Sequence, residues 1–425
     1  MNLFEELSWR GLVHDQTSEI AEALGKEKLT AYIGFDPTAA SLHVGSLLPM
    51  MALARLQRFG HTPIAIAGGG TGMIGDPSGK TKERQLLSVE QIEQNLVGIK
   101  EQLSRVLDFE TKTNPACIIN NADWLTKISL IDFMRDVGKH FTVNSMLAKE
   151  SIKRRLESAD GISFTEFTYP LLQAYDFLVL FDKYNCTLQL GGSDQWGNIL
   201  AGVDLVRRLR AGKAHGLTMP LVQTSAGVKF GKTEAGAVWL DAKLTSPYRF
   251  YQFWLNTDDR DAVNYLNYFT WLTREQIAEL AESLQIQPEK REAQRRLASE
   301  VTRLVHGEAA LQGALQASEV LFGKELTGLS ANDLLDIFNE VPSTEITGAQ
   351  LAERPLPLAE LLVTTGVAPS KNEAKKLLQG NGICVNNVRV TEVQRAITAE
   401  DFIDRQVLVL RKGAKTYHVV RLLAE

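Results

Sequence analysis

Three times before Asn198 this chain runs a short apolar segment straight into a loop of small and turn-forming residues. Thr30 to Phe35 leads into Asp36-Pro37-Thr38-Ala39-Ala40-Ser41 and on through Leu42-His43-Val44-Gly45-Ser46 to an apolar helix, Leu47 to Arg58. Thr62 to Ala67 leads into Gly68 to Gly79, and Thr187 to Leu190 leads into Gly191 to Asn198. Short apolar runs bounded in this way read as buried strands. Strand, loop and helix in alternation build a parallel sheet, because parallel strands need a helix-length connection between them. Loops at the carboxyl ends of such strands are where doubly wound sheets bind ligands. The reading is therefore an α/β protein with a doubly wound parallel sheet.

Each loop carries some chemistry. The helix beginning near Gly45 offers unpaired backbone N–H groups and the positive end of its dipole, which suits a phosphate. Glycine at that point lets a ligand come close, and His43 can donate to charge developing on a phosphate oxygen. The second loop has five glycines in the eight residues from Gly68 to Gly75, too many for a stable helix or strand interior. It lacks the lysine spacing of a P-loop and does not open a helix as GxGxxG does.

Farther on, Ser88 to Leu107 and Leu130 to Gly138 read as helices, and Ala116 to Ile119 as a strand. Met146 to Ser158 carries Lys149, Lys153, Arg154 and Arg155 at helical spacing, a basic face able to meet a nucleic-acid backbone. From Phe164 a helix presents Tyr169, Gln173 and Asp176 at i, i+4 and i+7 on one face. Their neighbours are apolar, so the stripe is expected to be buried, and buried polar groups need partners. Thr218 to Val222 reads as a strand, and Val228 to Glu234 as a loop with Lys229 and Lys232 around a glycine.

The expected domains are 1–240, the catalytic core; 246–323, helical and almost free of glycine; 324–355, a proline-marked linker; and 356–425, a small module of two helices and alternating strands. Charge divides along the same line. The module has ten Lys/Arg against seven Asp/Glu, and the remainder 36 against 44, so the tail is the part suited to an anionic partner. No apolar run reaches the ~20 residues a membrane helix needs. Three widely spaced cysteines, Cys117, Cys186 and Cys384, fit a reducing compartment and neither a disulfide framework nor structural zinc. A cytoplasmic location is expected.

Tyr32-x-Gly-Phe-Asp-Pro-Thr38, His43-Val-Gly-Ser46, Gly-Asp76-Pro-Ser-Gly, Tyr169-x-x-x-Gln173-x-x-Asp176, Gly-Gly192-Ser-Asp194-Gln195-Trp-Gly-Asn198 and Lys229-Phe-Gly-Lys232-Thr233 follow one another in that order. Together they resemble the bacterial tyrosyl-tRNA synthetase family of class I. The resemblance covers nearly the whole chain: Rossmann catalytic domain, helical domain, and an RNA-binding module like a small-subunit ribosomal protein. Two positions depart from the class patterns. Ser46 stands where the HIGH pattern has its second histidine, and KFGKT stands for KMSKS. A serine hydroxyl can hydrogen-bond a nucleotide but carries no charge, so a weak dependence on position 46 is expected.

The resemblance implies two steps. The tyrosine carboxylate displaces pyrophosphate from the α-phosphorus of ATP, and a hydroxyl of the terminal adenosine of tRNA(Tyr) takes the tyrosyl group. The attacking group is already an anion, so positioning and charge stabilisation must supply the catalysis. It further implies that Thr38, His43, Lys229, Lys232 and Thr233 are catalytic, with Lys80 and Arg84 assisting. Asp36, Thr38, His43, Gly45, Ser46, Gly192, Asp194, Lys229 and Lys232 would bind ATP. Tyr32 and Asp176 would take the tyrosine hydroxyl, Asp76, Tyr169 and Gln173 its ammonium, and Gln195 would lie near its carboxylate. Lys149, Lys153, Arg154, Arg155, Lys371, Lys375, Lys376, Arg411 and Lys412 would bind tRNA. ATP would enter with Mg²⁺ and no protein-held metal is expected. The chain would form a homodimer, with Leu130 to Phe141 as candidate interface. A tryptophanyl-type synthetase fits Tyr32 and Asp176 less well, since these suit a phenol. A non-catalytic RNA-binding relative would not need His43, Asp76, Asp176 and both loop lysines, and a generic nucleotidyltransferase would not need the tail.

Overall fold

The computed structural model describes residues 1–78, 87–157, 161–225, 227, 230–233, 236–320, 326, 328–339, 341–348, 351, 355–413 and 416–423, without the side chains of 151, 232 and 233. Contacts divide the chain into two units: residues 1–241 with 256–305, and residues 242–255 with 306–425.

The first unit is built on five parallel strands, β1 (Thr30–Phe35), β2 (Thr62–Ala67), β3 (Cys117–Asn120), β4 (Cys186–Gly192) and β5 (His215–Met219), in the order β3-β2-β1-β4-β5. The order reverses between β1 and β4, the position at which such sheets open a ligand crevice. Tyr32 is the register partner of Ile64 on one side and Gln189 on the other. The strand expected at 218–222 begins earlier and stops at Met219 because Pro220 has no N–H to continue the ladder.

Helix α1 (Leu47–Arg58) is buried almost all round, as its apolar sequence requires. Helix α2 (Val89–Leu103) opens on a capping box between Ser88 and Gln91. Helix α3 (Phe164–Tyr184) is capped by Ser163 and stopped by Asn185 in the left-handed region at φ 50°. It packs on α4 (Trp196–Arg210) so closely that a methyl group on Gly202 would lie 2.8 Å from the Phe177 ring. The expected basic helix at 146–158 is two short helices, Val143–Leu147 and Glu150–Leu156. Helices α5 (Asp259–Phe269) and α6 (Arg274–Ile286) complete what the argument needs of this unit.

In the second unit, β6 (Ser343–Thr347), β7 (Ile383–Val385), β8 (Val388–Arg389), β9 (Val407–Lys412) and β10 (Thr416–Leu423) form one sheet in the order β8-β7-β9-β10-β6. Neighbours are antiparallel except β10 and β6. Asn386 and Asn387, at φ 51° and 62°, make the β7–β8 turn, where asparagine tolerates the left-handed backbone a two-residue hairpin demands. The alternation along β9 sends Leu408 and Leu410 to one core, with α7 (Leu358–Thr364) and α8 (Lys371–Gln379). Val407 and Val409 go to the other, with Leu334, Ile337 and Phe338.

The contacts draw the boundaries differently from the expected ones. The segment expected as a linker holds a helix, Ala331–Ile337, and strand β6, both packed into the second unit's cores. The helices expected to form one domain are shared between the units, with 242–255 in the second and 256–305 in the first. Proline and a mixed composition mark chain turns, and only burial decides whether the residues between them are part of a core.

Candidate active site

At the carboxyl ends of β1 and β4 lies a cleft of about 350 Å³. Its buried end is a set of side chains bonded to one another. Asp176, on α3, accepts from Asn121 Nδ2 at Oδ2 (2.9 Å) and from Trp124 Nε1 at Oδ1 (2.7 Å). Burial pushes its carboxyl up to about 7 and the charge of Asp36 adds to this, against the pull of those two donors. Asn121 also donates to Thr71 Oγ1 (3.0 Å) and receives the N–H of Gly70 (2.8 Å), which ties the glycine loop to Asp176. Tyr32 packs edge-on against Phe177, and its hydroxyl is buried without a hydrogen-bond partner among the described residues. Gln189 beside it has a buried Oε1 with no partner among the described residues. Burial, with the Asp176 charge next, pushes the Tyr32 phenol well above its ordinary range. Orphaned buried polar atoms cost free energy unless something binds them, so this end of the cleft can pair with a polar group of a ligand.

Beside it runs a second network. Gln195 Nε2 donates to Asp76 Oδ2 (2.7 Å), and Gln173 Nε2 donates to Gln195 Oε1 (3.2 Å). Asn198 Nδ2 donates to Gln173 Oε1 (3.1 Å) and Ser78 Oγ (3.3 Å), and the Ser78 N–H donates to Asp76 Oδ1 (2.9 Å). Tyr169 is buried over these carboxylates. Burial, then the charges of Asp36, Asp76 and Asp176, raise its phenol well above the usual value, with a Thr71 hydrogen bond opposing. Asp76 and Asp176 facing one cavity give it an anionic character suited to a ligand ammonium.

The more open end is backbone. His43 caps a single 3₁₀ turn, Val44–Ser46, with Nδ1 accepting from the Gly45 N–H (3.0 Å). That bond leaves the ring proton on Nε2 as a donor. A methyl group on Gly45 would lie 2.6 Å from the His43 ring, so glycine is needed here as much for the histidine's position as for a ligand's approach. Gly45, Ser46, Asp36, Gly192 and Asp194 line the cleft. Thr38 is exposed and, like His43, is outside the cleft lining. Lys80, Arg84 and Lys229 fall outside the described residues. The backbone of Lys232 and Thr233 pairs with Gly236–Ala237.

Of the basic residues, Lys153, Arg154, Lys371, Lys375 and Lys376 are exposed, and Lys371 is paired with Glu360 (2.7 Å). Arg155 requires correction. Its side chain is 3% exposed and bonded to Glu166, itself 2% exposed, at 2.7 Å, so it braces a helix junction and has no surface to offer a nucleic acid. Lys149 Nζ donates to the Gly197 carbonyl (2.5 Å), and burial lowers its ammonium to about 8 despite the nearby Asp204 charge. Arg411 donates to Cys384 Sγ (3.2 Å) and Lys412 to the Val367 carbonyl (3.2 Å). Both are half-buried.

Sequence reasoning missed Asn121, Trp124, Thr71, Ser78, Gln189 and Asn198 as members of the site. Asn121 and Trp124 followed a strand, as ligand-binding loops do, and Asn198 closed a motif already singled out. Gln189 had a weaker signal, a polar residue inside an apolar strand.

Residues 24–323 match the model of the family described as tRNA synthetases class I (W and Y), and residues 333–420 match the Tyrosine--tRNA ligase SYY-like C-terminal domain. The chain is 56% identical to a Tyrosine--tRNA ligase of Roseiflexus castenholzii over 99% of both chains. It is 52% identical to Tyrosine--tRNA ligase 1 of Bacillus subtilis, again over 99% of each. Among solved structures it resembles a C-terminally truncated mitochondrial tyrosyl-tRNA synthetase of Aspergillus nidulans, with a TM-score of 0.67 and 32% identity over 75% of this chain and 94% of that one.

Proposed function

The chain belongs to the class I tRNA synthetases of the tryptophan and tyrosine family, and on that premise we propose how its own residues perform the reaction of a tyrosine–tRNA ligase. The enzyme activates L-tyrosine with ATP, forming tyrosyl-adenylate and pyrophosphate, and transfers the tyrosyl group to the terminal adenosine of tRNA(Tyr). ATP enters as its Mg²⁺ complex.

The observation that carries the specificity is the buried Tyr32 hydroxyl with no partner among the described residues, near an Asp176 carboxylate held by Asn121 and Trp124. The substrate hydroxyl donates to Asp176 and pairs with Tyr32. Phenylalanine would leave the Tyr32 hydroxyl unpaired, at roughly 1–3 kcal/mol for a buried group, and would give the Asp176 carboxylate no donor beyond Asn121 and Trp124. Asp76, Tyr169 and Gln173 receive the ammonium, and Gln195, which already donates to Asp76, turns the carboxylate toward the α-phosphorus. A carboxylate oxygen then forms the new P–O bond while the bond to the bridging oxygen of pyrophosphate breaks.

Charge on the transferring phosphate meets the N–H groups at Gly45 and Ser46 and the His43 Nε2–H, with Asp36, Gly192 and Asp194 around the nucleotide. Lys229, Lys232 and Thr233 act on the pyrophosphate side, and each such contact is worth ~2–4 kcal/mol in the transition state. Lys153, Arg154, Lys371, Lys375 and Lys376 meet tRNA phosphates. Exposed Leu130, Ile131 and Met134 on one short helix support a homodimer through residues 130–141, since neighbouring exposed apolar residues favour a partner. Substrates of translation imply residence in the cytoplasm.

The test is ATP–pyrophosphate exchange with tyrosine, tryptophan and phenylalanine in turn. Exchange is expected with tyrosine alone, and exchange led by tryptophan would refute the assignment. Lys371, Lys375 and Lys376 changed together to glutamate should depress tRNA charging and leave exchange intact. Ile131→Asp should shift the sedimentation coefficient to that of a monomer.

A further inference from the structure

Helix α5 lies outside the cleft, and yet each of its ends grips one side of the nucleotide machinery. At its amino-terminal end the Asp261 carboxylate, 7% exposed, accepts the Ser225 N–H at both oxygens (3.1 and 3.0 Å) and the Ser225 hydroxyl at Oδ2 (3.2 Å). One turn along, Tyr265 donates its hydroxyl to the Gln223 carbonyl (3.3 Å). Phe230, the residue between Lys229 and Gly231 in sequence, stacks on Phe269 (5.6 Å, 10°) and meets Tyr265 edge-on (5.0 Å). Gly231, at φ 78°, sits where an added methyl group would lie 2.6 Å from Val44, and Val44 donates its N–H to the Val238 carbonyl (2.9 Å). At the other end of α5, Arg55 of the helix that follows Gly45 donates to the carbonyls of Asn267 (3.2 Å) and Thr270 (3.0 Å).

We propose that Asp261 is a positioning residue for adenylate formation: with Tyr265 and Phe269 it holds Gln223, Ser225 and Phe230, described residues on either side of Lys229 in sequence, relative to the His43–Ser46 turn. The physical case is one of order. A flexible lysine gains little from a phosphate if its own backbone must be ordered first. Asp261 supplies three charge-assisted bonds at Ser225, and the aromatic stack holds Phe230. The inference rests on Lys229 and Lys232 acting on the pyrophosphate side.

The experiment is pyrophosphate exchange on the full-length enzyme with Asp261→Ala, Asp261→Asn and Tyr265→Phe. Tyrosine affinity is measured separately by equilibrium dialysis, and active sites are titrated. Asp261→Ala is expected to raise KM for ATP and lower kcat per titrated site, by 10- to 100-fold in kcat/KM, with the dissociation constant for tyrosine unmoved. Asp261→Asn, which keeps one acceptor for the Ser225 N–H, should recover most of the loss, and Tyr265→Phe should show a smaller loss of the same kind. If Asp261→Ala does not fold, the last two variants carry the comparison. Normal kinetics per titrated site, or a loss shared equally by tyrosine binding, overturns the proposal. Lys229→Ala and Lys232→Ala serve as the control on its premise: if they exchange normally, the assignment of the lysines fails. If they are impaired while Asp261→Ala is not, only the present inference fails.

Discussion

At its buried end the cleft works with side chains that bond to one another. Asp176, Asn121, Trp124 and Thr71 form a closed network, and Tyr32 is left with a bond to offer. At its open end it works with backbone, since one 3₁₀ turn, a glycine and a histidine that caps its own turn are what the α1 start contributes. The buried end is set before any ligand arrives, so it can discriminate by leaving the wrong ligand's partners unsatisfied. The open end presents donors whose value rises as charge develops, so it serves rate more than affinity.

Variants can break or sharpen that contrast. The largest effect is expected from Asp176→Ala, which should lower kcat/KM for tyrosine by on the order of 100-fold or more. Its circular dichroism should stay native, and a variant that exchanges normally would void the phenol assignment. Next comes pH. A carboxyl raised from 3.8 to about 7 by burial binds its proton more tightly folded than unfolded. It therefore costs stability once ionised, with no cost below 3.8 and the full cost above about 7. Relative to Asp176→Asn, the native enzyme should gain roughly 2–3 kcal/mol as pH falls from 8 to 5, measured by denaturant unfolding. Over the same range KM for tyrosine should rise in the native enzyme as the acceptor is protonated, and stay flat in the variant.

At the open end, Gly45→Ala must displace the His43 ring, and kcat for exchange should fall about 10- to 100-fold with tyrosine affinity unchanged. The smallest effect belongs to Ser46→Ala. Ser46 lines the cleft but makes no capping bond, so the loss should be roughly two- to tenfold, the worth of one neutral hydrogen bond.

Much of this architecture is legible in the residues. The strand–loop–helix alternation specified a parallel sheet because each pattern is local, and the i, i+4, i+7 spacing put Tyr169, Gln173 and Asp176 on one face of α3, where the structure has them. In the basic face at 149–155, spacing did not tell that Arg155 is buried while Lys153 and Arg154 are exposed. Arg155 and its neighbours share one chemistry, and its buried pair with Glu166 is a contact that spacing does not show. The expected linker failed for the same reason, since the partners of Ile337 and Phe338 lie on β9 and β10, far along the chain.

The sequence by itself determined the family, the sheet and the residue types at the cleft, because periodicity and ordered motifs are properties of neighbours along the chain. Tertiary structure alone decided that Asn121 and Trp124 orient Asp176, that Arg155 is buried, and that Asp261 binds Ser225. Each of these is a bond between residues distant in sequence. Its worth comes from removal from water, which no stretch of the chain specifies until the rest has folded over it.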